Sequence, residues 1–359
     1  IQVAPGVSLA GAEASVSALG GIVDFRSELT NQLSLTIDDS QLPALASLGT
    51  VLRIFHVPQG TILGHATGHR THVGIQPFIT GLVSVSVTLE EVVNYVGAPK
   101  LWDRGFRGGG VKIGLIDTGM DESHPMLEGK VVARKNFTPG PDTMDRNGHG
   151  TWVASSVAGK EWMSPVGLLI GVAPDAVLVN AKAFEGDAAD YDGIMAALEW
   201  AALEGCQVLS NSWGGEDYPP LQDLVRAIRN KTGAIVVAAA GNSGPGAGSM
   251  QYPGGYSDVI AVGSIGTAAP SQDAVAGFSS RGPGPGGIVK PDLVAPGGTE
   301  EECIYAAIPG DDVGCYRGTS MATPLVAGGI ALLLSAGSGV EPRAIARDIG
   351  PPGPDNDSG

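Results

Sequence analysis

The chain has 359 residues, enough for one large core and a smaller second one. Its 21 Lys and Arg against 37 Asp and Glu give a formal charge of −16, which excludes a nucleic-acid binder held by phosphate contacts and suggests a self-repelling surface suited to salty or secreted conditions. No apolar run reaches the roughly 18 residues of a membrane span, and Ile1-Gln2-Val3-Ala4-Pro5 lacks the basic start and apolar core of a signal peptide.

In chain order, residues 1–57 read as a unit of their own. Ser8 to Leu19 has helical spacing of small and apolar residues, Gly21 to Phe25 reads as a strand, and Gln32 to Ile37 alternates as a strand does. Asp39 and Ser40 can cap a helix through Leu48, and Val51 to Val57 makes a last strand. With the short apolar start, the order is β-α-β-β-α-β, a ferredoxin-like α+β layout. Its residues offer no catalytic group, so a regulatory module and a part of an enzyme both fit. From Pro58 to about Gly81 the composition turns to Gly, His and Thr without periodicity, and 58–88 is read as a solvated linker. His65, His69 and His72 match no compact metal-ligand spacing.

The third segment, 89–359, opens with a short helix, Glu90 to Val96. Gly108-Gly109-Gly110 then turns the chain into the mostly apolar Val111 to Ile116, the pattern of a buried parallel strand. Asp117 stands at the carboxyl end of that strand, where open α/β sheets place reactive groups. Next comes Asn147-Gly148-His149-Gly150-Thr151, followed by a helix through Ala158. Glycines on both sides keep bulk away from the imidazole, which suits a proton shuttle. Strands at Ala176 to Ala183, Gln207 to Ser212, Ala234 to Ala240 and Val259 to Ser264, with helices at Asp192 to Leu203 and Leu221 to Asn230, predict an α/β fold. Its core is a parallel sheet with helices on both faces. After the third of these strands, Asn242 places an amide that can donate to an oxyanion. Gly318 to Pro324 predicts a helix start with Pro in its first turn and Ser320 at its mouth, where unpaired N–H groups stabilise negative charge.

There are three cysteines. Cys303 and Cys315 flank the turn sequence Pro309-Gly310-Asp311-Asp312, and the alternatives are a disulfide across a hairpin or two separate thiols. Cys206, leading into an apolar strand, reads as a buried inert thiol.

Each polar residue has a plainer reading on its own: a turn Asp, a solvated loop His, a turn Asn, a capping Ser. Together they supply everything that acyl transfer by serine needs: a nucleophile, a base, a group to orient the base and an oxyanion donor. With these residues the sequence resembles the subtilisin-like serine proteases, the subtilase family. The matching segments are Ile116 to Gly119 with His124-Pro125, His149 to Thr151, Asn211 to Gly214, Ala240 to Asn242, and Gly318 to Pro324, across roughly Leu89 to Leu334.

The resemblance implies Ser320 as nucleophile, His149 as general base and then acid, and Asp117 as the orienting group. Asn242 and the Ser320 backbone N–H would form the oxyanion hole. Ser212, Trp213 and Gly214 would pair with the substrate backbone, and Ala240 and Gly241 would wall the pocket for the residue before the cut. Gln251 stands where relatives often carry a small residue, which predicts a shallower or more polar pocket. The resemblance also makes 1–57 a propeptide that assists folding and inhibits until cut away. The chain would then be a self-processing zymogen, with the processing bond within Val57 to Ser86.

Asp121 matches a family calcium ligand, but Lys160, Trp162 and Met163 are poor oxygen donors in the corresponding loop, so calcium would be structural at most and no cofactor is needed for the chemistry. Trp152 and Ser155 also depart from the family pattern, which carries His or Arg and then Gly there. The expected partners are protein and peptide substrates and the chain's own propeptide, with no nucleic acid; a monomer, secreted or at the cell surface, is implied. The competing readings are a peptide-binding homologue without catalysis, an acid-acting relative with Glu in place of His149, and an α/β-hydrolase esterase, whose Ser-first order and Gly-x-Ser-x-Gly elbow are missing at Ser320.

Overall fold

The computed structural model describes residues 1–57, 59–62, 65–70, 85–350 and 352–359, and of 59–62 and 65–70 the backbone alone. In the N-terminal unit, β1 (Gln2–Val3) leads to α1 (Leu9–Ala18), whose first turn is capped by the Ser8 side chain. β2 (Ile22–Ser27), β3 (Gln32–Thr36), the short α2 (Leu42–Ala46) and β4 (Val51–Arg53) follow. The antiparallel sheet has the order β2-β3-β1-β4, and Val3, Leu9, Ala12 and Leu33 form a small core of their own. β4 stops at Arg53, short of the expected Val57, because Phe55 and Val57 turn to pack against the large unit, together with Phe25 and Leu29. The contact is also polar: buried Glu199 accepts a hydrogen bond from the Leu29 N–H at 2.8 Å.

Three strands come next, β5 (Gln59–Ile62), β6 (His65–Arg70) and β7 (Val85–Thr88), so the expected solvated linker is replaced in its described parts by paired chain. Composition could not show this. These strands are held by main-chain hydrogen bonds to edges of other sheets, a mode that needs no apolar periodicity. His72 lies outside the described residues, as do the side chains of His65 and His69.

The large unit begins with α3 (Leu89–Tyr95), started by a capping box of Thr88 and Glu91, then α4 (Pro99–Trp102), β8 (Lys112–Asp117) and β9 (Val131–Asn136). α5 (His149–Ala158), the hairpin of β10 (Trp162–Ser164) and β11 (Gly167–Leu169), β12 (Val177–Lys182), β13 (Ala188–Asp190) and α6 (Tyr191–Leu203) follow. Then come β14 (Val208–Asn211), β15 (Trp213–Gly215), α7 (Pro219–Thr232), β16 (Ile235–Ala239), β17 (Ile260–Ile265) and β18 (Leu293–Pro296). The hairpin of β19 (Glu302–Ile308) and β20 (Asp312–Arg317) leads into α8 (Thr319–Ser335).

Seven strands form one parallel sheet in the order β18-β17-β16-β14-β8-β12-β9. The edge strands β18 and β9 were not expected from the sequence; β9 is half exposed along Val131–Asn136 and lacks the continuous apolar run of a central strand. One core lies between the sheet and α5 and α8, with Trp152, Val153, Met321 and Leu325 buried, and the other lies under α6 and α7, with Leu198, Leu221 and Ile228 buried. Burying each such aliphatic side chain stabilises by about 1.5–3 kcal/mol. The architecture therefore brings the carboxyl ends of β8, β14 and β16 to one edge, beside the starts of α5 and α8.

Candidate active site

Asp117 closes β8 and is buried. Its Oδ1 accepts from the Thr118 N–H at 2.8 Å and lies 2.7 Å from His149 Nδ1. His149 is the first residue of α5, three residues earlier than the helix expected from the sequence, because Gly148 reverses the chain at φ +100°. Glycine at 150 is required by close approach, since a Cβ there would lie 2.1 Å from the Gly119 carbonyl oxygen. Burial opposes a charged ring at His149, but the Asp117 carboxylate, with Asp145 and Asp187 beyond it, outweighs this and holds the imidazole pKa above its ordinary value. His149 Nε2 is buried and has no hydrogen-bond partner among the described residues.

Sequence reasoning missed Asp145. Its Oδ1 accepts from Thr118 Oγ1, the Asn147 N–H and the Gly148 N–H, and its Oδ2 accepts from the N–H and Oγ1 of Thr151, all within 2.9 Å. Burial pushes its pKa up, yet every partner is a donor, an arrangement matched to an acceptor-only carboxylate. The carboxylate ties the end of β8 to the first turn of α5, and so fixes the relation of Asp117 to His149. The available signal was an Asp shortly before a helix-starting His, which in sequence looks like any turn residue.

Ser320 is the second residue of α8. Pro324 lies in the helix interior, not in the first turn as expected. Its missing N–H leaves the Ser320 carbonyl without its helical partner. Ser212 Oγ donates to that carbonyl at 2.9 Å, and Ser320 Oγ donates to the Ser212 carbonyl at 2.7 Å. Beside them, the Asn242 side-chain oxygen accepts from the N–H and Oγ1 of Thr319 at 3.0 and 2.9 Å, so the other end of the amide, Nδ2, is a pure donor next to Ser320.

Gly241 has φ +115°, and a Cβ there would come within 2.7 Å of Gln251 Oε1. Gln251 is held by its own N–H on the Ala240 carbonyl, and its Oε1 is buried without a hydrogen-bond partner among the described residues. Ala240, Gly241 and Gln251 thus share one wall. The Ser212-Trp213-Gly214 strip is already paired: β5 lies antiparallel between β13 and β15, with Ile62 opposite Trp213 and Thr61 opposite both Gly214 and Ala188.

Asp121, the residue matched to a family calcium ligand, is engaged within the protein. Its Oδ1 accepts from Ser123 N–H and Oγ, and its Oδ2 from the Gly310 N–H. Among the described residues no group of three His, Cys, Asp or Glu is disposed to hold a metal. Cys303 and Cys315 form a disulfide with Cα atoms 5.4 Å apart, and Cys206 is a buried free thiol whose pKa burial pushes up to about 12. Among the described residues no helix is long and apolar enough to cross a membrane.

Four similarities bear on what this site does. The profile of the subtilase family matches residues 108–349. The chain is 35% identical over 272 residues to the major intracellular serine protease of Bacillus subtilis (strain 168), covering 72% of this chain and 79% of that protein. It is 36% identical over 252 residues to the intracellular serine protease of Paenibacillus polymyxa, covering 67% and 71%. It is 38% identical over 245 residues to subtilisin Savinase of Lederbergia lenta, covering 67% and 82%.

Proposed function

This chain belongs to the subtilase family and is a subtilisin-like serine endopeptidase, and we propose that it works through Asp117, His149 and Ser320 and is made as a self-inhibited, self-processing precursor. The observation that carries the reading is the course of β5. It pairs as an added strand with both walls of a cleft and reaches Trp213, the neighbour of the Ser212 that clasps Ser320. A substrate laid the same way gains main-chain hydrogen bonds on both sides.

In the proposed reaction, Ser320 Oγ leaves the Ser212 carbonyl and attacks the peptide carbonyl carbon while His149 Nε2 takes its proton. The negative oxygen is met by Asn242 Nδ2 and the Ser320 N–H, and loss of one such donor typically costs about a hundredfold in turnover. The C–N bond breaks as His149 returns the proton to the leaving amine. Water, deprotonated by His149, then splits the acyl ester and restores Ser320. Asp117 keeps Nδ1 protonated and stabilises the cation in between.

Residues 1–57 then serve as the propeptide, docked through Phe25, Leu29, Phe55 and Val57. Its removal frees the strip for protein and peptide substrates, and the enzyme acts as a monomer. The bond cut in processing follows closely on Ile62, inside the span Val57 to Ser86; residues 63–64 and 71–84 lie outside the described residues. The disulfide favours a secreted or cell-surface location, where such bonds persist, although two similar proteins are named as intracellular.

The test is the intact mass of the protein before and after a fluorophosphonate, which labels only an activated serine. One adduct mapped to Ser320 on a processed chain is expected. A processed chain that takes no adduct would favour the alternative, a peptide-binding homologue without catalysis.

A further inference from the structure

We infer that Trp152 and Ser155 are positioning residues for the proposed reaction. They tie α5, which begins with His149, to the β19–β20 hairpin, which runs into Ser320, and so set the gap that the proton must cross. The inference rests on the protease reading above and deepens it. Both residues depart from the family pattern, and no step of the proposed chemistry uses them.

Each half of the site is fixed by its own partners. Asp117 and Asp145 hold His149 and its neighbours at the end of β8, while Ser212 and Asn242 hold the start of α8. Between the halves, His149 Nε2, the atom that would take the Ser320 proton, has no hydrogen-bond partner among the described residues. The base is therefore aimed by its scaffold. α5 does pack closely on α8, where a Cβ at Gly328 would lie 3.1 Å from the Val157 carbonyl oxygen. Apolar contact is non-directional, however, and fixes the register of two helices poorly.

The directional contacts that leave α5 toward Ser320 run to the hairpin. Trp152 lies three positions after His149 and Ser155 three further on, so the three share one side of the helix. Trp152 Nε1 donates to the carbonyl of Gly314 in β20 at 3.1 Å and to that of Ile304 in β19 at 3.3 Å, so one N–H spans both strands. Ser155 Oγ donates to the Trp152 carbonyl at 2.9 Å and accepts from the Ala307 N–H at 3.2 Å, using the hydroxyl in both senses. A glycine there, as in the family pattern, would supply neither bond. The Trp152 ring also stacks on Tyr316, with planes 6° apart and centroids 6.2 Å apart. Tyr316 reaches back to the start of α5, since its hydroxyl would lie 2.9 Å from a Cβ at Gly148. Trp152, Ser155, Ile304 and Ala307 are all buried, so bulk water does not compensate a lost bond. β20 then passes through Gly318 into Ser320, which completes the link from base to nucleophile.

The experiment counts competent sites in each protein by titration with a fluorophosphonate, then measures kcat and KM per titrated site on one peptide substrate across pH. Trp152→Phe keeps an aromatic ring and removes the N–H. It should lower kcat per site about tenfold and change KM by less than about twofold, within the roughly hundredfold that an ångström of misplacement can cost. The rate of labelling should fall in parallel, because the same proton transfer activates Ser320. The acid limb of the kcat/KM profile should stay in place, since the carboxylates around His149 are unchanged. Ser155→Ala, a smaller change that keeps the indole, should show the same pattern at about threefold, the scale of one neutral hydrogen bond. A merely structural role gives the opposite pattern: fewer titrated sites and a lower melting temperature, with full kcat at the sites that remain. That pattern, or an unchanged kcat per site, overturns the inference and leaves the protease reading intact. If Trp152→Phe does not fold, Ser155→Ala decides by the same criterion. An unaltered protein that takes no label and hydrolyses nothing sinks the protease reading, and the inference with it.

Discussion

Ser212 and Ser320 hold each other by two reciprocal hydrogen bonds, each hydroxyl donating to the other residue's carbonyl, at 2.9 and 2.7 Å. The first of these exists because Pro324 cannot supply the helical N–H that the Ser320 carbonyl would otherwise accept. The cleft strip and the nucleophile are therefore one mechanical unit.

Ser212→Ala should orphan that buried carbonyl and cost about 1–3 kcal/mol in unfolding free energy. In a Pro324→Ala background, where the helix supplies its own donor, the cost should shrink. Denaturant unfolding of the four proteins of this double-mutant cycle reads the coupling directly, and equal costs in both backgrounds would refute the role given to Pro324.

Asp145→Asn should move the acid limb of the kcat/KM profile to lower pH. The sign follows from charge: His149 must be neutral to accept the Ser320 proton, and the surrounding carboxylates favour its protonated form and raise its pKa. Removing one negative charge lowers that pKa, so activity persists further into acid. At alkaline pH, where the ring is neutral in both proteins, kcat should fall about tenfold because Asp117 and His149 lose their common anchor. A merely structural Asp145 would lower thermal stability without moving the limb.

Gln251→Gly should open the wall shared with Gly241, where any Cβ at 241 would come within 2.7 Å of the Gln251 carboxamide oxygen. The expected outcome in a peptide-library digest is a shift of about tenfold toward bulky aromatic residues before the cut, the usual scale for a side chain's worth of apolar pocket. The unaltered protein should disfavour such residues.

The unaltered chain should acquire a new N-terminus just after Ile62, and Ser320→Ala should remain full-length in a protease-free preparation. N-terminal sequencing and intact mass report both. Cutting of the Ser320→Ala chain would exclude self-processing, and a terminus well before Gln59 would contradict the path of β5.

Removing the Cys303–Cys315 disulfide, which closes a separation of 12 residues, should lower unfolding stability by about 3 kcal/mol on the chain-entropy estimate. Thermal unfolding of the Cys303→Ser, Cys315→Ser protein checks it.

What the sequence determined by itself was the local chemistry. Asp117 at a strand end, His149 between glycines, Asn242 after a strand and Ser320 at a helix start are each written in a few neighbouring residues, as are the central strands, whose burial on both faces demands continuous apolar runs. The β-α-β-β-α-β order of the first unit was legible for the same reason: its periods and caps are local. Tertiary structure alone decided what depends on residues far apart in the chain. Asp145 matters because of where Thr118 and Thr151 fall around it, and Pro324 because Ser212, 112 positions earlier by the numbering, reaches its helix. Segments 59–62 and 65–70 are strands only because other strands wait to pair with them, and pairing through the main chain leaves no mark on side-chain pattern.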